Sequence, residues 1–207
     1  MAGRSKLEIT TDKVLVSYPN LFVATENKLS GKMEFYMVAV YPKGADLSKE
    51  KAAVKAAAEE KWGADQTKWP KGLQWPFKKN EDAGKKNEAG DYIVGADGKR
   101  LLPEGYEEGG YHIRVKSNKK PPVYDMDNSD LIMPEKFYAG CLAQCALKAF
   151  AYQVGNKVGV SLWIQGVKKV ADGSPIGAKF RPEEHFAPIA GTQAQNAHAN
   201  PQDIFSM

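Results

Sequence analysis

Short runs rich in β-branched and aromatic residues open the chain. KVLVSYPNLFVAT, residues 13–25, predicts a strand interrupted at Pro19-Asn20, and MEFYMVAVYP, residues 33–42, predicts a second that Pro42 ends; the two are expected to pair antiparallel. The pattern then changes. SKEKAAVKAAAEEKWG, residues 48–63, has helix-forming alanines through its middle, Ser48 placed to cap the N-terminus and Gly63 placed to stop the helix. Ala53, Val54, Ala56 and Ala57 give it a slim apolar face, suited to lying closely on a sheet or plugging the end of a barrel.

Residues 64–110 lack a sustained period. Trp69, Pro70, Trp75, Pro76 and Phe77 lead into KKNEDAGKKNEAG, with the charge and small residues of an exposed loop, and then into YIVGADGKRLL, where Asp97-Gly98 between apolar runs signals a hairpin. The stretch is expected to be a long excursion from the core, not a second domain. Alternation returns in YHIRVKSNKKPPVYD, residues 111–125, where Ile113 and Val115 point inward and His112, Arg114 and Lys116 outward.

CLAQCALKAFAYQV, residues 141–154, fits two periods. At helical spacing Leu142, Cys145, Ala146, Ala149 and Phe150 make a stripe; at period 2 Ala143, Cys145, Leu147, Ala149 and Ala151 make one face and Gln144, Lys148, Phe150 and Tyr152 the other. The local pattern favours a helix. VGVSLWIQGVKKVADGSPIG, residues 158–177, is strand-like, with Val158, Val160, Leu162 and Ile164 on one face and a turn at Asp172-Gly173. Were both segments strands, Gly155-Asn156 would join them as a hairpin. Trp163 is expected in the core.

Length and charge refine this picture. At 207 residues, 43% of them hydrophobic, the chain suits one domain with extensions. It holds no run near the roughly 18 apolar residues of a membrane span, and MAGRSKLEITTDK lacks a signal peptide's apolar stretch, so a cytoplasmic protein without a membrane partner is expected. Cys141 and Cys145 would sit about 13 Å apart on a strand, beyond disulfide reach, and are expected to be free and buried. The net charge of +4 is uneven: residues 182–207 carry three acids and no Lys or Arg, leaving +7 (29 minus 22) on residues 1–181. Such a surplus favours a polyanionic partner only weakly unless it is concentrated.

It is concentrated in residues 111–125, where Arg114, Lys116, Lys119 and Lys120 precede any acid and Pro121-Pro122 stiffen the exit. Cations so placed can meet the phosphates of a nucleic acid, and aromatic faces near other cations could stack on its bases. The aromatic candidates are Trp75 and Phe77 beside Lys78 and Lys79, and Phe150 and Tyr152 beside Lys148. Each feature has a plainer reading: a strand edge guarded against aggregation by lysine and proline, or aromatics anchored in the core.

The chain resembles the phage-encoded single-stranded DNA-binding proteins of the OB-fold type. The resemblance rests on SYPNLF, FYMVAVYPKGADLSKEKAAVKAAAEEKWG, YHIRVKSNKKPPVYD and EKFYAGCLAQCALKAFAYQVGNKVGVSLWIQGVKKVADG, in that order over roughly residues 17–173. It implies a mostly β fold, an OB-like five-stranded barrel with one α-helix and a long inserted loop or hairpin, in which residues 142–153 are a strand despite their helical pattern. It also implies sequence-independent binding and protection of single-stranded DNA during phage replication or recombination, without catalysis and without a cofactor.

The domain is expected to span residues 1–181 and a flexible tail residues 182–207, since GTQAQNAHANPQDIFSM has too few large apolar residues to order itself. The tip Asp203-Ile204-Phe205 is similar in kind to the acid-plus-phenylalanine tips with which bacterial single-stranded DNA-binding proteins dock partners, so replication or recombination proteins are expected there; self-association is left open. As an enzyme, the chain offers only Asp125, Asp127 and Asp130 in DMDNSD as magnesium ligands for a nuclease, and a turn built on local Asp and Asn hydrogen bonds explains these better. Cys141 and Cys145 with His112 lack the spacing and fourth ligand of a zinc site.

Overall fold

A computed structural model describes residues 5–27, 31–130 and 133–177. Among these residues eight strands and one α-helix follow in the order β1 (Glu8–Thr10), β2 (Val14–Asn27), β3 (Lys32–Tyr41), α1 (Ser48–Trp62), β4 (Phe77–Lys79), β5 (Tyr111–Ser117), β6 (Val123–Tyr124), β7 (Leu142–Val154) and β8 (Lys157–Ala171). Strands β2, β3, β5, β8 and β7 pair in that order, and β7 returns to β2, closing a five-stranded ring. Every pairing in the ring is antiparallel except β5 with β8. The expected OB-like barrel with one helix and a long insertion is the fold observed.

The alternation of β7 decides its state. Ala143, Cys145, Leu147, Ala149 and Ala151 are all buried, while Lys148 and Phe150 are exposed. Thirteen register pairs with β8, joined at Gly155-Asn156, satisfy backbone groups that a helix would have satisfied internally. Non-local pairing therefore overrides helix propensity here. Pro19-Asn20 does not end β2; the strand bulges between Ser17 and Asn20, with Tyr18 at φ 48°.

Helix α1 lies against β7, β8 and β1, with Ala53, Val54, Ala57 and Ala58 buried; Ala58 takes the place expected of Ala56, which is only half-buried. Burying Val54 stabilises by roughly 1.5 to 3 kcal/mol. Ser48 is not the N-cap. It is already helical, and Asp46 accepts from its backbone N–H at 2.8 Å and its hydroxyl at 3.0 Å, bonds that hold the Asp46 carboxyl below its usual range. Gly63, at φ 85°, ends the helix as expected.

Behind the helix, Tyr41 donates to the buried carboxylate of Glu50 at 3.2 Å, and burial raises the pKa of both groups. Cys141 and Cys145 are free and buried, and burial pushes the Cys145 thiol up to about 12. Trp163 departs from expectation: it stands half-buried on the outer face of β8.

The excursion after α1 is tied to the barrel at several points. Phe77, Lys78 and Lys79 pair with Ile113, His112 and Tyr111, and Asn80 donates to the carbonyls of Tyr41 and Glu107. Gly98, at φ 75°, sits in the tight turn expected at Asp97-Gly98. The expected domain boundary at 181/182 and the tip Asp203, Ile204 and Phe205 lie outside the described residues. Among the described residues no helix is long and apolar enough to cross a membrane.

Candidate nucleic-acid interface

Strands β3 and β5 are the second and third strands of the ring, the face on which OB folds carry oligonucleotides. Their outward side chains, Tyr36 and Val38 on β3 and His112, Arg114 and Lys116 on β5, line a groove of about 700 Å³. Residues 25–27 at the end of β2, residues 74–76 of the excursion, Lys78 of β4, and Tyr152, Val160 and Ser161 of the β7–β8 hairpin complete it.

Backbone pairing fixes the contribution of the excursion. Gln74 donates to the carbonyl of Val158 at 3.0 Å and accepts from the N–H of Val160 at 2.9 Å. This approach needs Gly159, where a Cβ would come within 2.7 Å of both the Gln74 carbonyl and the Tyr152 hydroxyl. Tyr152 donates to Gln74 Oε1 at 3.4 Å, and Trp75 continues a row of tilted rings from Trp62 through Trp69, at 6.5 and 6.1 Å. Trp75 is thereby presented half-exposed and braced from behind.

The cations are organised by an acid. Glu34, on the same outer face of β3 as Tyr36, is 3% exposed and pairs with both Arg114 and Lys116, the latter at 3.6 Å. The Arg114 guanidinium lies 3.8 Å from the centroid of the Tyr36 ring, a stacked cation and aromatic plane with half its surface open to solvent. The segment 111–124 is free of acids in sequence, but its strand neighbour supplies one. His112 adds no fixed charge: burial, then the nearby charge of Lys78, lowers its pKa, and its ring packs edge-on to Tyr106 at 5.5 Å.

Of the residues singled out from sequence, Trp75, Lys78, Arg114, Lys116 and Tyr152 converge on this groove. Lys119 and Lys120 line a second depression of about 410 Å³ together with Trp163. Lys148 and Phe150 stand beside Trp163, with the Phe150 and Trp163 rings 5.6 Å apart. Phe77 instead packs against the core, and Lys79 is exposed outside the groove. Asp125, Asp127 and Asp130 belong to a turn: Asp125 accepts from Met126 N–H, Asp127 accepts from the N–H and hydroxyl of Ser129, and Asn128 sits at φ 68°. Among the described residues no group of three or more His, Cys, Asp or Glu side chains is placed to hold a metal ion.

Glu34, Tyr36, Gln74, Gly159 and Trp163 were not legible as site residues. Tyr36 carried a signal, since it alternates with the inward Met37 and Ala39, as did Trp163, which alternates with Leu162 and Ile164; the others depend on which strands become neighbours.

Solved structures similar to this one include phage proteins. The single-stranded DNA-binding protein from bacteriophage Enc34 in complex with ssDNA superposes with a TM-score of 0.61 at 17% identity, covering 85% of this chain and 97% of that one. The Enc34 protein in a second structure gives 0.59 at 15% identity, covering 89% and 96%. The gp2.5 single-stranded DNA-binding protein of bacteriophage T7 gives 0.54 at 11% identity, covering 91% and 98%. At these identities the likeness is one of fold. No curated protein matches the chain. The family described as Enterobacter phage Enc34, ssDNA-binding protein, matches residues 7–199, and the chain belongs to that family.

Proposed function

We propose that this chain binds single-stranded DNA without catalysis and largely without regard to sequence, protecting exposed strands during phage replication or recombination in the host cytoplasm. Family membership supports binding of single strands. The observation that carries the assignment to the groove is the stack of Arg114 on Tyr36 beside Lys116, on the second and third barrel strands, in a groove that Trp75 and Lys78 of the excursion also line. Cations meet successive phosphates there while ring faces accept bases of any identity. No base-reading constellation is required, because every base offers a π-face.

The nuclease alternative loses its ligands to the turn around Asp127. Labelled single-stranded and duplex DNA, each incubated with the protein with and without magnesium, tests the proposal. Retention of intact single strands, with much weaker retention of duplex, is expected. Magnesium-dependent cleavage, or equal retention of both forms, would overturn it.

A further inference from the structure

Register places four outward side chains in one row across the barrel. Tyr36 on β3 pairs with Lys116 on β5, Lys116 with Trp163 on β8, and Trp163 with Lys148 on β7. Ring and cation thus alternate along a line perpendicular to the strands, with neighbouring strands about 4.8 Å apart. Lys116 lines the 700 Å³ groove and Trp163 lines the 410 Å³ depression, so this cross-strand pair stands where the two hollows meet.

Trp163 is built to present a face. Its Nε1 donates to Ser161 Oγ at 3.1 Å, and the Phe150 ring, 52% exposed, backs it at 5.6 Å. An indole held in this way loses little rotamer freedom when a base settles on it. Core packing does not account for the arrangement, since both rings belong to the outward sets of β7 and β8. Lys119 and Lys120 are exposed and line the same depression, and buried Pro121 anchors the segment that carries them.

Resting on the proposed single-strand binding, we infer that the depression beside Trp163 is a second subsite: a strand leaving the Tyr36–Arg114 groove crosses Lys116, stacks a base on Trp163 and sets its next phosphates against Lys119 and Lys120. Charge favours nucleic acid over a protein partner, because the lining of the depression carries two lysines and no acid. The groove alone then serves short oligomers, and the second subsite is felt only by longer ones.

Fluorescence anisotropy with oligothymidylates of about 4 to 16 nucleotides tests this. Wild-type affinity is expected to rise from the short to the long end, and Trp163→Ala should leave the shortest oligomer bound as before while weakening the longest by about 5- to 150-fold. Trp163→Phe, keeping a ring, should recover most of the loss. Lys119→Ala with Lys120→Ala, both at exposed positions, should lower the salt slope by about 0.7 for each phosphate no longer neutralised, for the long oligomer only. Wild-type binding whose length dependence survives both Trp163→Ala and the lysine pair would overturn the second subsite and leave the groove reading standing. Equal loss at all lengths would instead merge Trp163 with the groove and also overturn it. Absence of wild-type binding at any length would overturn the groove reading and this inference together.

Discussion

Arg114 donates to the carboxylate of Glu34, a residue 80 positions earlier in the chain that β3 brings beside it, and Lys116 shares the same acid. The two cations and the buried acid behind them therefore sum to +1, not +2, before DNA arrives. Replacing Glu34 with Gln keeps an acceptor for Arg114 and removes the negative charge. Tighter single-strand binding at low salt is expected, with a salt slope steeper by about 0.7 for each cation freed to meet a phosphate. A titration across salt concentrations measures it; an unchanged slope would mean that these cations do not meet phosphates.

Exposure separates the aromatic candidates. Tyr36 and Trp75 line the groove, whereas Phe77 packs on the core. Tyr36→Ala and Trp75→Ala should each cost roughly 1 to 3 kcal/mol of binding with little change in urea midpoint. Phe77→Ala should show the reverse, losing stability toward the roughly 3 to 5 kcal/mol of a fully buried Phe while any folded protein binds normally. Paired binding and unfolding curves decide the matter; a Phe77 variant of native stability and poor binding would move that ring to the interface.

Gly159 sits where the excursion docks on β8. A methyl group there meets the Gln74 carbonyl, which as backbone cannot swing away. Gly159→Ala should displace residues 74–76, weakening single-strand binding and shifting the fluorescence of Trp75 while the barrel remains folded. Amide exchange at Val160, whose N–H bonds the Gln74 carbonyl, reports the loss directly.

His112 supplies a pH dependence. Because burial and Lys78 lower its pKa in the fold, the unfolded chain takes up the proton first as pH falls. Stability from this group is present above the ordinary value of 6.5 and is lost as pH falls below it. A phosphate beside His112 favours the imidazolium, so DNA should recover part of that loss and binding should strengthen toward acid. His112→Asn is expected to flatten both trends; thermal unfolding with and without a single strand, from about pH 7 down to 5, would expose an unchanged profile.

Glu50 works in the opposite sense. Its raised carboxyl means that the folded state holds its proton longer than the unfolded chain, so stability declines as pH rises above the ordinary 4.5. Glu50→Gln should remove that decline, and its urea midpoint should gain on wild type between acid and neutral pH. Parallel profiles for the two proteins would show that Glu50 does not titrate differently on folding.

Much was determined by sequence alone. Period 2 in residues 111–117 set Ile113 and Val115 inside and His112, Arg114 and Lys116 outside, because a strand buries alternate side chains whatever its neighbours are. Composition marked α1 and its glycine stop, and residues 155–156 joined the last two long strands. What tertiary structure decided is who stands beside whom. Local preference made residues 142–153 a helix until pairing with β8 made them a strand, and Trp163, which alternation with Leu162 and Ile164 turns outward, gains Lys116 and Lys148 as neighbours only through the pairing of β8 with β5 and β7. Glu34 sits among the cations for the same reason. Lateral neighbours in a sheet come from distant parts of the chain, and the charge, stacking and closeness of a binding groove depend on those neighbours.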